Sequence, residues 1–215
     1  MKKFEVIQKI REIGVIPVVR ASSADEAMRA IEAIKEGGVP ILEITMTVPG
    51  AIKVMEQVCD RFGSEVVTGA GTVLDPETAR ACILAGAQFV VSPALNLKTI
   101  ELCQRYAVPI MPGALTPTEV VTAWQAGADF VKVFPCSAMG GSSYIKGLKA
   151  PLPHVELVPT GGVNLNTAAD FIKAGSSALG IGADLVDLKA LREGNAALIT
   201  QRAREFAQIV KDARG

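Results

Sequence analysis

The run AGADFVKVFPCSAMGG, residues 126–141, sets Lys132 among Phe130, Val131, Val133 and Phe134. An ammonium group in such surroundings is expensive unless it is paired. Glu43, inside PILEIT at 40–45, has the same oddity. One reading is a buried Lys132–Glu43 ion pair that only satisfies itself, although such pairs rarely outdo apolar packing for stability. The other is covalent chemistry. An amine kept from water favours its neutral, nucleophilic form and can attack a ketone. The resulting iminium withdraws electrons, so an adjacent C–C bond can break or a C–H proton can leave. Glu43 is then the carboxylate that moves protons.

Both residues must be placed by strands. Short apolar runs at 15–20, 40–45, 65–70, 88–92, 108–112, 129–134, 155–160 and 177–182 alternate with amphipathic stretches near 23–36, 49–62, 76–85, 96–106, 117–126, 141–148, 165–174 and 195–212. That alternation predicts parallel pairing with helical crossovers. Glycines at 38, 86, 127 and 175 precede every second strand, where a left-handed residue ends a helix. Ser23 to Glu26 and Thr116 to Glu119 have capping-box spacing, and Asp75-Pro76 places a cap before a first-turn proline. The opening MKKFEVIQKIREIG is expected to be a surface helix with Phe4, Ile7, Ile10 and Ile13 on one stripe. The fold expected is α/β, a (β/α)8 TIM barrel with an N-terminal helix, and residues 1–215 form a single domain. A doubly wound open sheet is the alternative, but it lacks the GxGxxG fingerprint after the first strand.

In a barrel, active sites lie at the C-terminal ends of the strands. Strand alternation puts Phe130, Lys132 and Phe134 on one face, and likewise Ile41, Glu43 and Thr45, and Val18 and Arg20. Glu65, Asp129 and Glu156 fall at strand starts, on the opposite rim. Glu43 and Lys132 are thus the ionisable pair in strand interiors, with Arg20 closing the first strand near the same end.

Composition narrows the chemistry. Lys plus Arg balance Asp plus Glu, 22 against 22, which gives no electrostatic case for nucleic acid or an anionic membrane. No apolar run reaches the roughly 20 residues of a membrane-spanning helix. The single histidine, His154, cannot build a zinc site alone and reads as an exposed loop residue rather than part of a hydrolase triad. The four cysteines form no CxxC pair, so a reduced, cytoplasmic protein is expected. The loops PTGGV at 159–163 and GIGAD at 180–184 follow the last two strands, where barrels bind phosphate through glycine amides. GAGTV at 69–73 puts Thr72 beside the third strand end, either as a site residue or as an ordinary loop threonine.

Taken together, IPVVRA, LEITMTVPGA, GAGTV, VSPALN, MPGALTPTE, VKVFP, VPTGGVNL and LGIGADLV resemble the bacterial 2-keto-3-deoxy-6-phosphogluconate (KDPG) and 4-hydroxy-2-oxoglutarate (KHG) aldolases. These are class I lyases acting on small 2-keto acids, with pyruvate as a product. The resemblance implies a (β/α)8 barrel, usually a homotrimer, with no metal and no organic cofactor. It makes Lys132 the imine-forming nucleophile and Glu43 the proton shuttle. Thr72 would help hold the pyruvate carboxylate, Pro93 and Phe134 would wall the pyruvyl pocket, and Thr160 would bind hydroxyls of the aldehyde half. Gly161, Gly162, Gly182 and Ala183 would surround the distal phosphate or its substitute.

Two positions depart from the family pattern. Many relatives carry a carboxylate-holding arginine where this chain has Thr47, and Arg20 is the available replacement, or else a surface arginine at a strand end. Many also carry a serine where Ala183 stands. Asp184 follows, either capping the next helix or facing the pocket and repelling phosphate. An isomerase or synthase on the same barrel needs a second inward acid or base, which the strands lack. A silent scaffold of the same fold leaves the Glu43 and Lys132 pair without purpose.

Overall fold

The computed structural model describes residues 1–215. Its strands are β1 (Val15–Val19), β2 (Ile41–Thr45), β3 (Val67–Gly71), β4 (Phe89–Val91), β5 (Ile110–Met111), β6 (Gly113–Ala114), β7 (Val131–Val133), β8 (Leu157–Pro159) and β9 (Leu179–Ile181). All pairings are parallel, in two arcs ordered β5-β4-β3-β2-β1-β9 and β6-β7-β8. The arcs meet at Pro112. With no N–H to donate, it ends β5 inside the expected 108–112 strand and separates it from β6, which lies just beyond that strand. Its carbonyl still accepts from the Lys132 amide at 2.9 Å. At the other seam a single bridge, Thr160 to Gly180, joins β8 to β9. The curled sheet thus has nine short segments at eight positions around a ring.

The helices are α1 (Lys3–Ile13), α2 (Ala24–Glu36), α3 (Ala51–Phe62), α4 (Pro76–Leu84), α5 (Leu97–Arg105), α6 (Pro117–Gln125), α7 (Ser142–Lys149), α8 (Ala168–Lys173), α9 (Leu188–Arg192) and α10 (Ala196–Arg214). Their ends follow the local chemistry. Asp75 accepts from the Thr78 amide at 2.6 Å, and Thr116 with Glu119 makes a complete capping box. Ser23 caps α2 through the Glu26 amide, but the Glu26 carboxylate turns to Ser22 instead of closing the box. The short α9 has no counterpart in the sequence pattern. It is a five-residue turn started by Asp187, which accepts from the Ala190 amide at 3.0 Å, and it carries no long apolar stripe.

Gly38, Gly86, Gly127 and Gly175 all have φ between +83° and +99°. After each, the next amide reaches back to a carbonyl five residues earlier, as in Val39 to Ile34 at 3.3 Å and Ala87 to Cys82 at 3.0 Å. The end of α5 makes the same closure, Val108 to Cys103 at 3.0 Å, yet the left-handed position is Ala107 at φ +53°. Relief of the left-handed strain, set against the flexibility glycine adds to the unfolded chain, should make Ala107→Gly stabilising by about 0.5–1 kcal/mol. A urea titration checks this as a raised midpoint at unchanged slope.

Helix α1 departs from the expected stripe. Phe4 is 66% exposed, whereas Val6 and Ile10 are buried. The helix is oriented by charge as well as by apolar contact. Lys3 pairs with Asp129 at 2.9 Å and Arg11 with Glu156 at 3.2 Å, so two of the rim acids anchor it across the N-terminal ends of the strands. Glu65, the third, pairs with Lys35. That end of the ring is closed, and the opposite end is left for the site.

Candidate active site

Parallel register decides which side chains share the inside, because aligned residues point to the same face. Val18 aligns with Glu43, Glu43 with Gly69, and Gly69 with Phe89. Val91 aligns with Met111, two residues before Gly113, and Gly113 aligns with Lys132 and Lys132 with Val158. Thr160, two further on, aligns with Gly180, and Gly180 with Ile16. The circuit returns to Val18 with its parity preserved. Glu43 and Lys132 therefore both project into the ring.

Several inward positions near the C-terminal ends are glycine, where a packed barrel would carry branched side chains. A Cβ on Gly71 would lie 1.8 Å from Glu43 Oε1, and one on Gly180 would lie 2.2 Å from Thr160 Oγ1. On Gly182 it would lie 3.0 Å from Arg20 Nη1, and on Gly113 it would lie 2.2 Å from the Pro93 carbonyl. Each missing side chain makes room for a residue singled out from the sequence. Gly71, Gly113 and Gly180 were not among those residues. The signal available was glycine inside or immediately after the strand runs, where it otherwise weakens pairing.

Lys132 is 4% exposed and Glu43 3%. No ion pair joins them, so the self-satisfying pair does not form. Neither side chain has a hydrogen-bond partner, yet neither is a sealed orphan: the buried, unpartnered side-chain atoms are Thr99 Oγ1 and Ser176 Oγ. Both functional ends therefore keep some accessible surface, although neither residue lines the neighbouring cavity that holds Arg20. Lys132 Nζ sits 5.4 Å from the centre of the Phe134 ring, an attractive cation–π separation that tethers the amine beneath the mouth.

Phe134 also lines a cavity of about 170 Å³ with Arg20, Thr160, Gly161, Gly162, Val163, Gly180, Gly182, Ala183 and Asp184. Seven of the substrate-binding positions expected from the sequence thus meet in one place. Gly161 and Gly162, at φ +94° and +77°, form its turn, and the Thr167 hydroxyl holds the Gly162 carbonyl at 2.8 Å. Arg20 makes no ion pair, and its guanidinium lies beside Gly182, at the end of the cavity formed by the last two strands. Asp184 lines the same cavity, while the cap of α9 is Asp187.

Thr47, Thr72 and Pro93 lie outside that cavity. Thr45 Oγ1 is within hydrogen-bond reach of the Val19 carbonyl at 3.3 Å and of Thr47 Oγ1 at 2.6 Å, which engages the Thr47 hydroxyl within the β2 loop. Thr72 follows Gly71 at φ +58°. That is a costly conformation for a β-branched residue, of the kind that gathers at functional sites. Pro93 places its carbonyl over Gly113, the register partner of Lys132. His154 is a surface residue edge-on to Trp124, ring centres 4.7 Å apart. All four cysteines are free thiols, and burial pushes Cys82 and Cys136 to about 11 and Cys103 to about 12.

An inward amine and carboxylate at the C-terminal mouth of a parallel α/β ring define the class: a barrel built for carbonyl chemistry on a small ligand. The family model described as "Aldolase: KDPG and KHG aldolase" matches residues 6–202, and the chain belongs to that family. It is 34% identical over 210 residues to the 2-dehydro-3-deoxy-phosphogluconate aldolase of Treponema pallidum, covering 96% of this chain and 97% of the relative. It is also 34% identical over 204 residues to the 2-dehydro-3-deoxy-6-phosphogalactonate aldolase of Escherichia coli K12, covering 94% and 97%. Among solved structures, the KDPG aldolase of Legionella pneumophila, with pyruvate captured at low pH as a covalent carbinolamine intermediate, superposes with TM-score 0.86 at 29% identity, over 93% of this chain and 96% of that one.

Proposed function

We propose that this chain is a class I aldolase that reversibly cleaves KDPG to pyruvate and glyceraldehyde 3-phosphate, or KHG to pyruvate and glyoxylate. The observation that carries the reading is the buried, unpaired Lys132 amine, held inside the ring with the unpaired Glu43. Lys132 Nζ attacks the C2 ketone, and loss of water from the carbinolamine gives the iminium. Glu43, directly or through a water, removes the C4 hydroxyl proton. The C3–C4 electron pair moves into the iminium, the aldehyde leaves, and an enamine remains. Protonation at C3 and hydrolysis release pyruvate and restore the amine.

Thr72 and Pro93, near the third strand end and Gly113, suit the carboxylate and the wall of the pyruvyl half. Thr160 suits a hydroxyl of the aldehyde half. Arg20 belongs with the distal group, since it shares its cavity with the Gly161–Gly162 turn and Gly182. An unpaired guanidinium beside glycine amides favours a phosphate there, offsetting the absent hydroxyl at Ala183 and the Asp184 carboxylate. A homotrimer in the cytoplasm belongs to the same reading by family resemblance. A coupled assay for pyruvate tests it. Release from KDPG at higher kcat/KM than from KHG is expected; pyruvate from neither substrate would overturn the proposal.

A further inference from the structure

Besides Phe134 and the Thr160–Val163 loop, two further walls line the distal cavity: the loop after β1, carrying Arg20, and the loop after β9, carrying Gly182, Ala183 and Asp184. Neither wall is regular structure. Behind them lies a cluster that the aldol chemistry leaves unused. Glu26, with a side chain only 4% exposed, accepts from the Ser22 amide at 2.6 Å and the Ser22 hydroxyl at 2.8 Å. It also accepts from Arg192 Nε at 2.5 Å and Nη2 at 3.2 Å. Arg192 Nη2 lies 3.4 Å from Ser22 Oγ, closing a triangle. Ser22 is two residues past Arg20. Arg192 ends α9, whose cap, Asp187, stands three residues past Asp184.

Resting on the aldolase reading above, we infer that Glu26 and Arg192 are positioning residues that clasp the two loops and so set the affinity for the aldehyde half of the substrate. A five-residue helix has too few internal bonds to hold itself in place. The loop before it packs Leu185 and Val186 into the core, and Arg202 reaches the Ala183 carbonyl at 3.4 Å and Asp187 at 3.2 Å. Arg192 joins the far end of the helix to the β1 loop through Glu26 and Ser22. Burial works against the Glu26 carboxylate, but the bonds from Arg192 and Ser22 outweigh it and bring its pKa down to about 2. The clasp is therefore charged at any pH at which the enzyme would work. Released, the β9 loop and Arg20 no longer face each other at a fixed separation. Lys132 and Glu43 sit on strands and do not depend on it.

Steady-state cleavage by Arg192→Ala, Arg192→Lys and Glu26→Gln tests the clasp, using whichever of KDPG and KHG the wild type cleaves with the higher kcat/KM. Borohydride trapping with pyruvate alone runs in parallel, because pyruvate lacks the aldehyde half. Arg192 is 56% exposed on its side chain, so its truncation leaves no void in the core. For Arg192→Ala and Glu26→Gln, KM should rise roughly tenfold with kcat within about twofold, the pattern of lost uniform binding. Pyruvate trapping should match the wild type. Arg192→Lys should fall between, keeping the charge but not the fork. An unchanged KM, or kcat and trapping falling in step with KM, would overturn the clasp. A wild type that pyruvate and borohydride leave unmodified would instead sink the aldolase reading, and the clasp's role with it.

Discussion

Lys132→Ala should lower kcat/KM by about 10⁴-fold or more while the protein stays folded, since the loss of a covalent nucleophile is not made good by the remaining contacts. The folding half follows from the surroundings. Lys132 has no ion-pair partner and no side-chain hydrogen bond, so truncation strands no buried charge. The flanking Val131 and Val133, fully packed against the helices, are untouched. A structural lysine behaves differently: breaking a buried pair on one side costs about 3–5 kcal/mol. Lys132→Met, close in volume and free of the buried amine, should be at least as stable as the wild type and equally inactive. Urea midpoints alongside pyruvate release separate the cases. A large stability loss with partial activity would assign Lys132 to the fold instead.

Gly71→Ala carries the second large effect, through a residue that touches no substrate in the proposed mechanism. The added methyl carbon would fall 1.8 Å from Glu43 Oε1 and 2.4 Å from its carboxyl carbon, so the carboxylate must swing away. Displacement of a proton-transfer group by an ångström or so is worth roughly 10² in rate, and its full loss 10²–10⁴. Gly71→Ala should therefore lose about 10²-fold in kcat, approaching Glu43→Gln. The clash is with the Glu43 side chain, Cγ at 2.5 Å included, and no backbone atom is among the nearest contacts, so stability should fall less than where backbone is struck. Gly113→Ala makes the contrast. Its methyl would meet the Pro93 backbone at 2.2 Å, and backbone cannot rotate aside. That variant should lose stability as well as activity, as thermal melts of the two glycine variants would show. A fully active Gly71→Ala would remove Glu43 from the mechanism.

The eight strand positions were legible because every buried run carries apolar residues between turn signals, and four helix ends announced themselves by glycine. Glu43 and Lys132 were legible because charge inside a strand is rare enough to demand a reason. What escaped the sequence depends on tertiary neighbours. Phe4 faces solvent because α1 is oriented by Lys3 and Arg11 reaching Asp129 and Glu156, partners more than a hundred residues away. The hollow around Glu43 is written as glycines, whose significance appears only once register shows which face they take. The sequence offers Arg20 either as a replacement for the arginine missing at Thr47 or as a surface arginine at a strand end. Its place beside Gly182 follows from the closure of β1 against β9, which no local pattern encodes.

A barrel-interior amine, Lys132, forms the imine in the proposed reaction. Incubation with pyruvate and sodium borohydride, followed by peptide mass mapping, tests it directly. One reduced pyruvyl adduct per chain is expected, located at Lys132, with activity lost in proportion to labelling. An unmodified Lys132 in protein that still cleaves its substrate, or an adduct confined to another lysine, would contradict it.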